Sequence, residues 1–196
     1  ISHSTILLLV FTTKMFLLHP VMKAFIYIQL VIMVLIMGSN SLKAQTYFLD
    51  QFPDVWQRNM DYSRALAEAM PANLYDYRPT PEAMSFGDQL LHIASNISYL
   101  TAIVNGEKRS FYEKEDRSSL DKDSIIEILD EANKYVLELI KKTEQSQLDE
   151  EIVFANENMT KENIFYLLRG HQTHHRGQAL IYLRLNGIAT PAYVGW

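Results

Sequence analysis

Apolar residues recur along this chain at intervals of three and four, the spacing of one helix face, in four stretches separated by prolines, glycines and polar runs. From Pro53 to Met70 the stripe is Val55, Trp56, Met60, Ser63, Leu66, Ala67 and Met70. Asp50 and Pro53 suit a helix entrance, and Pro71 ends the helix. Residues 71–84 hold Pro71, Pro79 and Pro81 and read as an extended loop. Ser85, with Asp88 three residues on, has the form of a capping box. It opens a second helix that runs to about Val104 and closes at Asn105-Gly106. A polar loop follows. A third helix starts near Asp121 or Asp123, with Ile125, Ile128, Leu129, Ala132, Val136, Leu139 and Ile140 on one face and Glu127, Glu131, Lys134, Glu138 and Lys141 on the solvated one. Residues 146–159 are a longer connection in which Glu151–Phe154 reads as a short extended piece. Thr160 caps the fourth helix, and Asn186-Gly187 stops it. The expected fold class is all-α, a four-helix bundle.

The first 44 residues follow a different pattern. Met22-Lys23 gives a short positive end, Ala24–Met37 an apolar run, and Gly38-Ser39-Asn40-Ser41-Leu42-Lys43-Ala44 a small polar end. That order predicts a secretory signal peptide that begins at Met22 and is cleaved after Ala44, with residues 1–21 as an upstream extension. The apolar run is about 14 residues, short of the ~20 that span a bilayer, so contact with a membrane is expected only through the signal peptide. The expected domains are residues 1–44 and a bundle over 45–196, exported to the periplasm or secreted from a bacterial cell.

Charge and composition narrow the partners. The formal net charge is −5, and because residues 1–44 hold three lysines and no acid, the remainder has 15 basic against 23 acidic groups, a net of −8. An acidic body does not suit phosphate backbones, and no nucleic acid is expected as a partner. Cysteine is absent, which removes disulfides, thiolate metal sites and cysteine nucleophiles. A metal site here must use histidine, carboxylate, amide, backbone or water ligands. Such donors suit zinc, nickel, iron or manganese.

The concentration of chemistry is in His171-Gln172-Thr173-His174-His175-Arg176-Gly177-Gln178. His171 and His175 are four apart on a helix and share a face, so both can reach one ion at roughly 2.0–2.1 Å. Gln178 and Tyr182 return to that face. A third histidine, His92, shares its face with Asp88, Gln89, Asn96 and Tyr99 beside an apolar stripe, and by itself reads more readily as a satisfied core residue than as a ligand. Gln178 and Asn96 are candidates to hydrogen-bond around a metal, and Asp88 to orient His92 or to serve as a cap. Tyr62 and Tyr99 are candidates to line a pocket. Arg176 projects away from His171 toward an expected surface pairing, and Gly177 suggests close approach of another helix.

Three pieces together resemble the DinB-like (DinB/YfiT-like) family of metalloenzymes. They are Tyr75-Asp76-Tyr77-Arg78-Pro79-Thr80-Pro81-Glu82-Ala83-Met84-Ser85-Phe86 leading into the helix of His92, the His171–Gln178 segment, and Leu183-Arg184-Leu185-Asn186-Gly187-Ile188 before Pro191. The resemblance covers residues 46–196 in order. It implies a four-helix bundle in which His92, His171 and His175 hold a divalent metal and His174 does not ligate. Three imidazoles leave an open position for water, as in catalytic zinc sites. The expectation is a metal-dependent enzyme of hydrolytic type acting on a small molecule. The alternatives are a non-catalytic metal-binding or stress-related bundle, or a metal-dependent thiol transferase, which would need a cytosolic thiol pool that an exported protein lacks. A homodimer through the outer face is compatible with this pattern.

Overall fold

The computed structural model describes residues 20–194. It divides into two units, residues 1–47 and 48–196. Helix α1, Pro20–Ala69, supplies residues to both. In the first unit its apolar side chains are uncovered: Phe25, Ile28, Val31, Val34 and Leu35 are each more than half exposed. Among the described residues no helix is long and apolar enough to cross a membrane. Residues 1–19, most of the expected upstream extension, lie outside the described residues.

In the second unit α1 is already helical at Phe48, so Pro53 sits inside the helix rather than at its entrance. A proline there lacks the N–H that would bond four residues back. An aromatic ladder offsets the loss. Phe48 stacks on Phe52 at 4.8 Å, Phe52 stacks on Trp56 at 5.8 Å, and Phe52 meets the edge of Phe165 at 5.5 Å. Such pairs contribute about 0.5–1.5 kcal/mol each beyond their burial.

Helix α2 spans Phe86–Asn105. Its capping box forms as expected, Ser85 Oγ accepting from Asp88 N and Asp88 accepting from Ser85 N, and Gly106 closes it at φ 77°. Helix α3, Lys122–Lys142, is capped by Asp121 and buries Ile125, Leu129, Ala132, Val136 and Ile140. A short helix α4, Gln145–Leu148, leads into an antiparallel hairpin of β1, Glu151–Phe154, and β2, Glu157–Thr160. Phe154 pairs with Glu157, and the turn residues Ala155 and Asn156 stand at φ 52° and 67°, the both-positive geometry of a type I′ turn. The first strand was legible in the sequence. The second, Glu-Asn-Met-Thr, has no apolar alternation to reveal it.

Helix α5, Lys161–Leu185, ends on Gly187 at φ 69°. There Gly187 N donates to Arg184 O at 3.0 Å and Ile188 N to Leu183 O at 2.9 Å, the paired bonds of a Schellman stop. Helix α2 packs against both α3 and α5. The 48–69 part of α1 closes the core from the other side, where Trp56 Nε1 donates to Asn133 O at 2.9 Å.

Candidate metal centre

The packing of α2 on α5 sets His92 opposite the His171/His175 pair. The rings of His171 and His175, one turn apart, have centroids 4.4 Å from each other; His92 stands 5.0 Å from the first and 4.5 Å from the second. Each of the three offers a ring nitrogen, and these atoms all lie within 4.8 Å of one another. Two donors on one ion at 2.0–2.1 Å can be at most about 4.2 Å apart, so a small ring rotation completes the fit. His175 is buried and the other two are half-buried, which leaves one side of the cluster open to a cleft. The donor set is all nitrogen, in line with the absence of cysteine.

Protonation suits ligation. Burial, and secondarily the neighbouring histidines, lower the His171 and His175 imidazoles to about 4; burial lowers His92 as well. All three are therefore neutral at pH 7, as metal ligands must be.

A chain of hydrogen bonds fixes which nitrogen of His175 faces the cluster. Gln89 Oε1 lies 2.6 Å from His175 Nδ1. Gln89 Nε2 donates to Gln178 Oε1 at 2.9 Å and to Tyr182 OH at 3.2 Å. The Tyr182 hydroxyl in turn donates to Met84 O at 3.1 Å. Gln178 Nε2 then points at His174 Nε2, 2.7 Å away. An amide nitrogen only donates, so the directions are set: His174 accepts, and His175 donates its Nδ1–H to Gln89. The Nε2 lone pair of His175 is left for an ion. A partner on the far nitrogen of a ligating histidine is the usual way tautomer and ring orientation are held.

The sequence put this supporting role elsewhere. Asp88 does not orient His92. It accepts from Arg117 Nε at 2.5 Å and takes part in the Ser85 cap. Burial works to raise its carboxyl, but hydrogen bonds from Ser85 and Arg117, with the charge of Arg117, hold it below the usual carboxylate range. Asn96 is not among the groups bonded to the imidazoles. Gln178 does belong to the supporting chain, one step removed through Gln89. Gln89 itself was missed. Its signal was its position three residues before His92 on the same face, overshadowed by the more conspicuous acid at 88.

Two further expectations are corrected. Arg176 is not at the surface: it is 3% exposed, with Nη1 donating to Asn59 Oδ1 at 2.8 Å and its guanidinium 4.8 Å over the Tyr62 ring. Tyr62 therefore serves Arg176 rather than a pocket. Gly177 faces open space, since a Cβ there would meet nothing within 4 Å. Tyr99 is 59% exposed and borders a cleft along α2 with Ser95, Ser98 and Ala102.

Residues 56–179 match the DinB superfamily, and the chain belongs to that family. Among curated proteins it is similar to the uncharacterized protein YjoA of Bacillus subtilis, 27% identical over 126 residues, which cover 62% of this chain and 80% of that protein. Solved structures share the fold. The DinB-like YjoA structure from Bacillus subtilis matches with a TM-score of 0.59 at 22% identity, covering 73% of this chain and 96% of that one. A DinB-like protein from Bacillus cereus matches with 0.61 at 18%, covering 72% and 95%. YfiT from Bacillus subtilis, described as a probable metal-dependent hydrolase with an unusual four-helix bundle topology, matches with 0.56 at 18%, covering 72% and 89%.

Proposed function

We propose that this chain is a divalent-metal-dependent enzyme of hydrolytic type, with His92, His171 and His175 as the protein ligands. The observation that carries the reading is the convergence of three neutral imidazole nitrogens within 4.8 Å beside an open cleft. The description of YfiT as a probable metal-dependent hydrolase supports the reaction class. An ion held there, of the zinc, nickel, iron or manganese type, supplies an acidified water and polarises a carbonyl or phosphoryl oxygen.

The chain's own residues do the rest. Gln89 keeps the proton of His175 on Nδ1. Gln178 and Tyr182 keep Gln89 from turning its amide over. Met84, Leu91 and Tyr112 line the cleft beside His92. Asp88 lines the same cleft as His92, but its carboxylate is engaged by Arg117 and the Ser85 cap.

The positive end, apolar run and small polar end of residues 22–44 support export to the periplasm or medium, where hydrolysis is a better fit than transfer of a cytosolic thiol. The acidic body supports a small-molecule substrate over nucleic acid.

Elemental analysis of protein purified without a histidine tag tests the reading. About one equivalent of a divalent transition metal is expected, with its loss in His175→Ala. A metal-free native protein that also takes up none on dialysis overturns it.

A further inference from the structure

The cleft beside His92 does not end there. Its lining includes Met84, Asp88, Leu91, Ser95, Tyr112 and Arg117, and its volume is about 580 Å³. A second cleft of about 330 Å³ continues along α2, lined by Ser95, Ser98, Tyr99, Ala102, Lys108, Ser110, Phe111 and Tyr112. Both share Ser95 and Tyr112, whose hydroxyls meet at 3.1 Å, so the two clefts adjoin at that pair and are read together as one groove. Each is of the size that small ligands occupy.

The ends of the groove differ in charge. At the inner end Arg117 is already matched: its Nε bonds Asp88 at 2.5 Å and its Nη2 bonds Asp76 at 3.1 Å. Met84 and Leu91 give the inner cleft apolar surface, and the Ser95 and Tyr112 hydroxyls mark the junction with the outer one. At the outer end the lining contains no acid; Lys108 stands there with the hydroxyls of Ser98, Tyr99 and Ser110. Among the described residues Lys108 has no carboxylate partner. Its company on the helix is Ser98 and Ala102, six and ten residues beyond His92, or about 9–15 Å at ~1.5 Å per residue. In a body of net negative charge, an unmatched ammonium at the end of a groove is the point that discriminates for an anion.

We infer that the groove takes an elongated acyl compound, an amide or ester, with its scissile carbonyl beside His92, a chain that runs from Leu91 past the Ser95–Tyr112 pair, and an anionic group at Lys108. This rests on the metal-dependent reading above and adds the substrate class to it. In the reaction the oxygen of one water bonds the acyl carbon and the C–N or C–O bond breaks. One proton of that water ends on the departing amine or alcohol, and the other leaves the new carboxylic acid for solvent. Lys108 touches only the far end of the substrate and acts on specificity.

The test uses two probes on the zinc-loaded full chain, with binding measured by calorimetry. One is octanohydroxamic acid, whose hydroxamate seeks the ion and whose tail is neutral. The other is the monohydroxamic acid of suberic acid, of equal length but ending in a carboxylate. The acid-ended probe is expected to bind about tenfold more tightly, with that advantage lost in Lys108→Met and kept in Lys108→Arg. The neutral probe should bind all three proteins alike. The monohydroxamic acid of succinic acid, too short to reach Lys108, should show no dependence on residue 108. Equal affinity of the two long probes for the native protein overturns the inference while leaving the metal reading intact, as does an equal loss of both probes in Lys108→Met. Failure to take up zinc, with neither probe bound, overturns the metal reading and this inference together.

Discussion

Helix α5 carries two adjacent pairs with the same four-residue spacing, and they solve opposite problems. His171 and His175 face α2; Gln172 and Arg176, each one position along, face α1 and α3. The first pair is neutral where it is buried, because removal from water costs an imidazolium more than an imidazole. The second pair includes a guanidinium that stays charged although only 3% of it is exposed. Burial pulls that guanidinium below its ordinary value, with Tyr62 and Tyr193 acting the other way.

Among the described residues no carboxylate hydrogen-bonds Arg176. Asn59 Oδ1 accepts at 2.8 Å, Ser63 Oγ at 3.4 Å and Thr173 Oγ1 at 3.3 Å, with the Tyr62 ring beneath. Gln172 extends the network by donating to Asn133 Oδ1 at 2.8 Å and Ser63 Oγ at 3.2 Å. Asn59, Ser63 and Thr173 all accept from Arg176, while Gln172 Oε1 beside them is buried without a donor among the described residues. On the histidine side ring nitrogens of His92, His171 and His175 lie within 4.8 Å of one another. The contrast teaches that burial of polar groups does not by itself mark a site. The convergence of several ring nitrogens on one point does.

The contrast can be broken by substitution. The largest effect is expected from His175→Ala, which should lose most of the bound metal in elemental analysis while the metal-free protein melts within a few degrees of the native apo form. Arg176→Ala should do the reverse. It strands Asn59 and Ser63 and removes packing against Tyr62, at about 2–4 kcal/mol by denaturant unfolding, yet the folded fraction should keep its metal. An Arg176→Ala protein with full stability and no metal would reverse the roles assigned to the two pairs.

A smaller effect is expected from Gln89→Leu, which frees His175 to adopt the wrong tautomer. Metal affinity should fall about 10–100-fold, measured by chelator competition, with little change in fold stability.

The smallest is Asp88→Asn. The folded carboxyl is held below its unfolded value, so its stabilisation is complete above the unfolded pKa of about 3.9 and fades as pH falls through the lower folded value. Native and Asp88→Asn proteins should differ by roughly 1 kcal/mol or less at pH 7, and the gap should narrow below about pH 4. A gap that widens there would show that Asp88 does not act through its charge.

How much of this was legible beforehand depends on the residue. The stripes of α2, α3 and α5 and the caps at Ser85, Asp121 and Gly187 are local, and local rules reach them. Phe48 and Phe52 were missed because proline at 53 reads as a helix start, whereas here aromatic stacking along α1 and edge contacts to Phe165 offset the lost hydrogen bond. β2 was missed because a two-residue turn of Ala155-Asn156 lacks the glycine that usually announces one. The burial of Arg176 was missed because a charged side chain on a helix is assumed to face water until a neighbouring helix is shown to supply acceptors.

The sequence by itself determined α2, α3 and α5, the absence of thiolate chemistry and the shared face of His171 and His175, because each follows from composition or from a periodicity within one segment. The meeting of His92 with that pair was implied by family resemblance and given its geometry only by tertiary structure. Gln89 as the partner of His175, the buried setting of Arg176 and the groove from His92 to Lys108 were decided by tertiary structure alone. Each depends on how α2 lies against α5, on how α1 covers the other side, or on how the 106–121 loop folds over α2. No spacing within one helix encodes a distance to another.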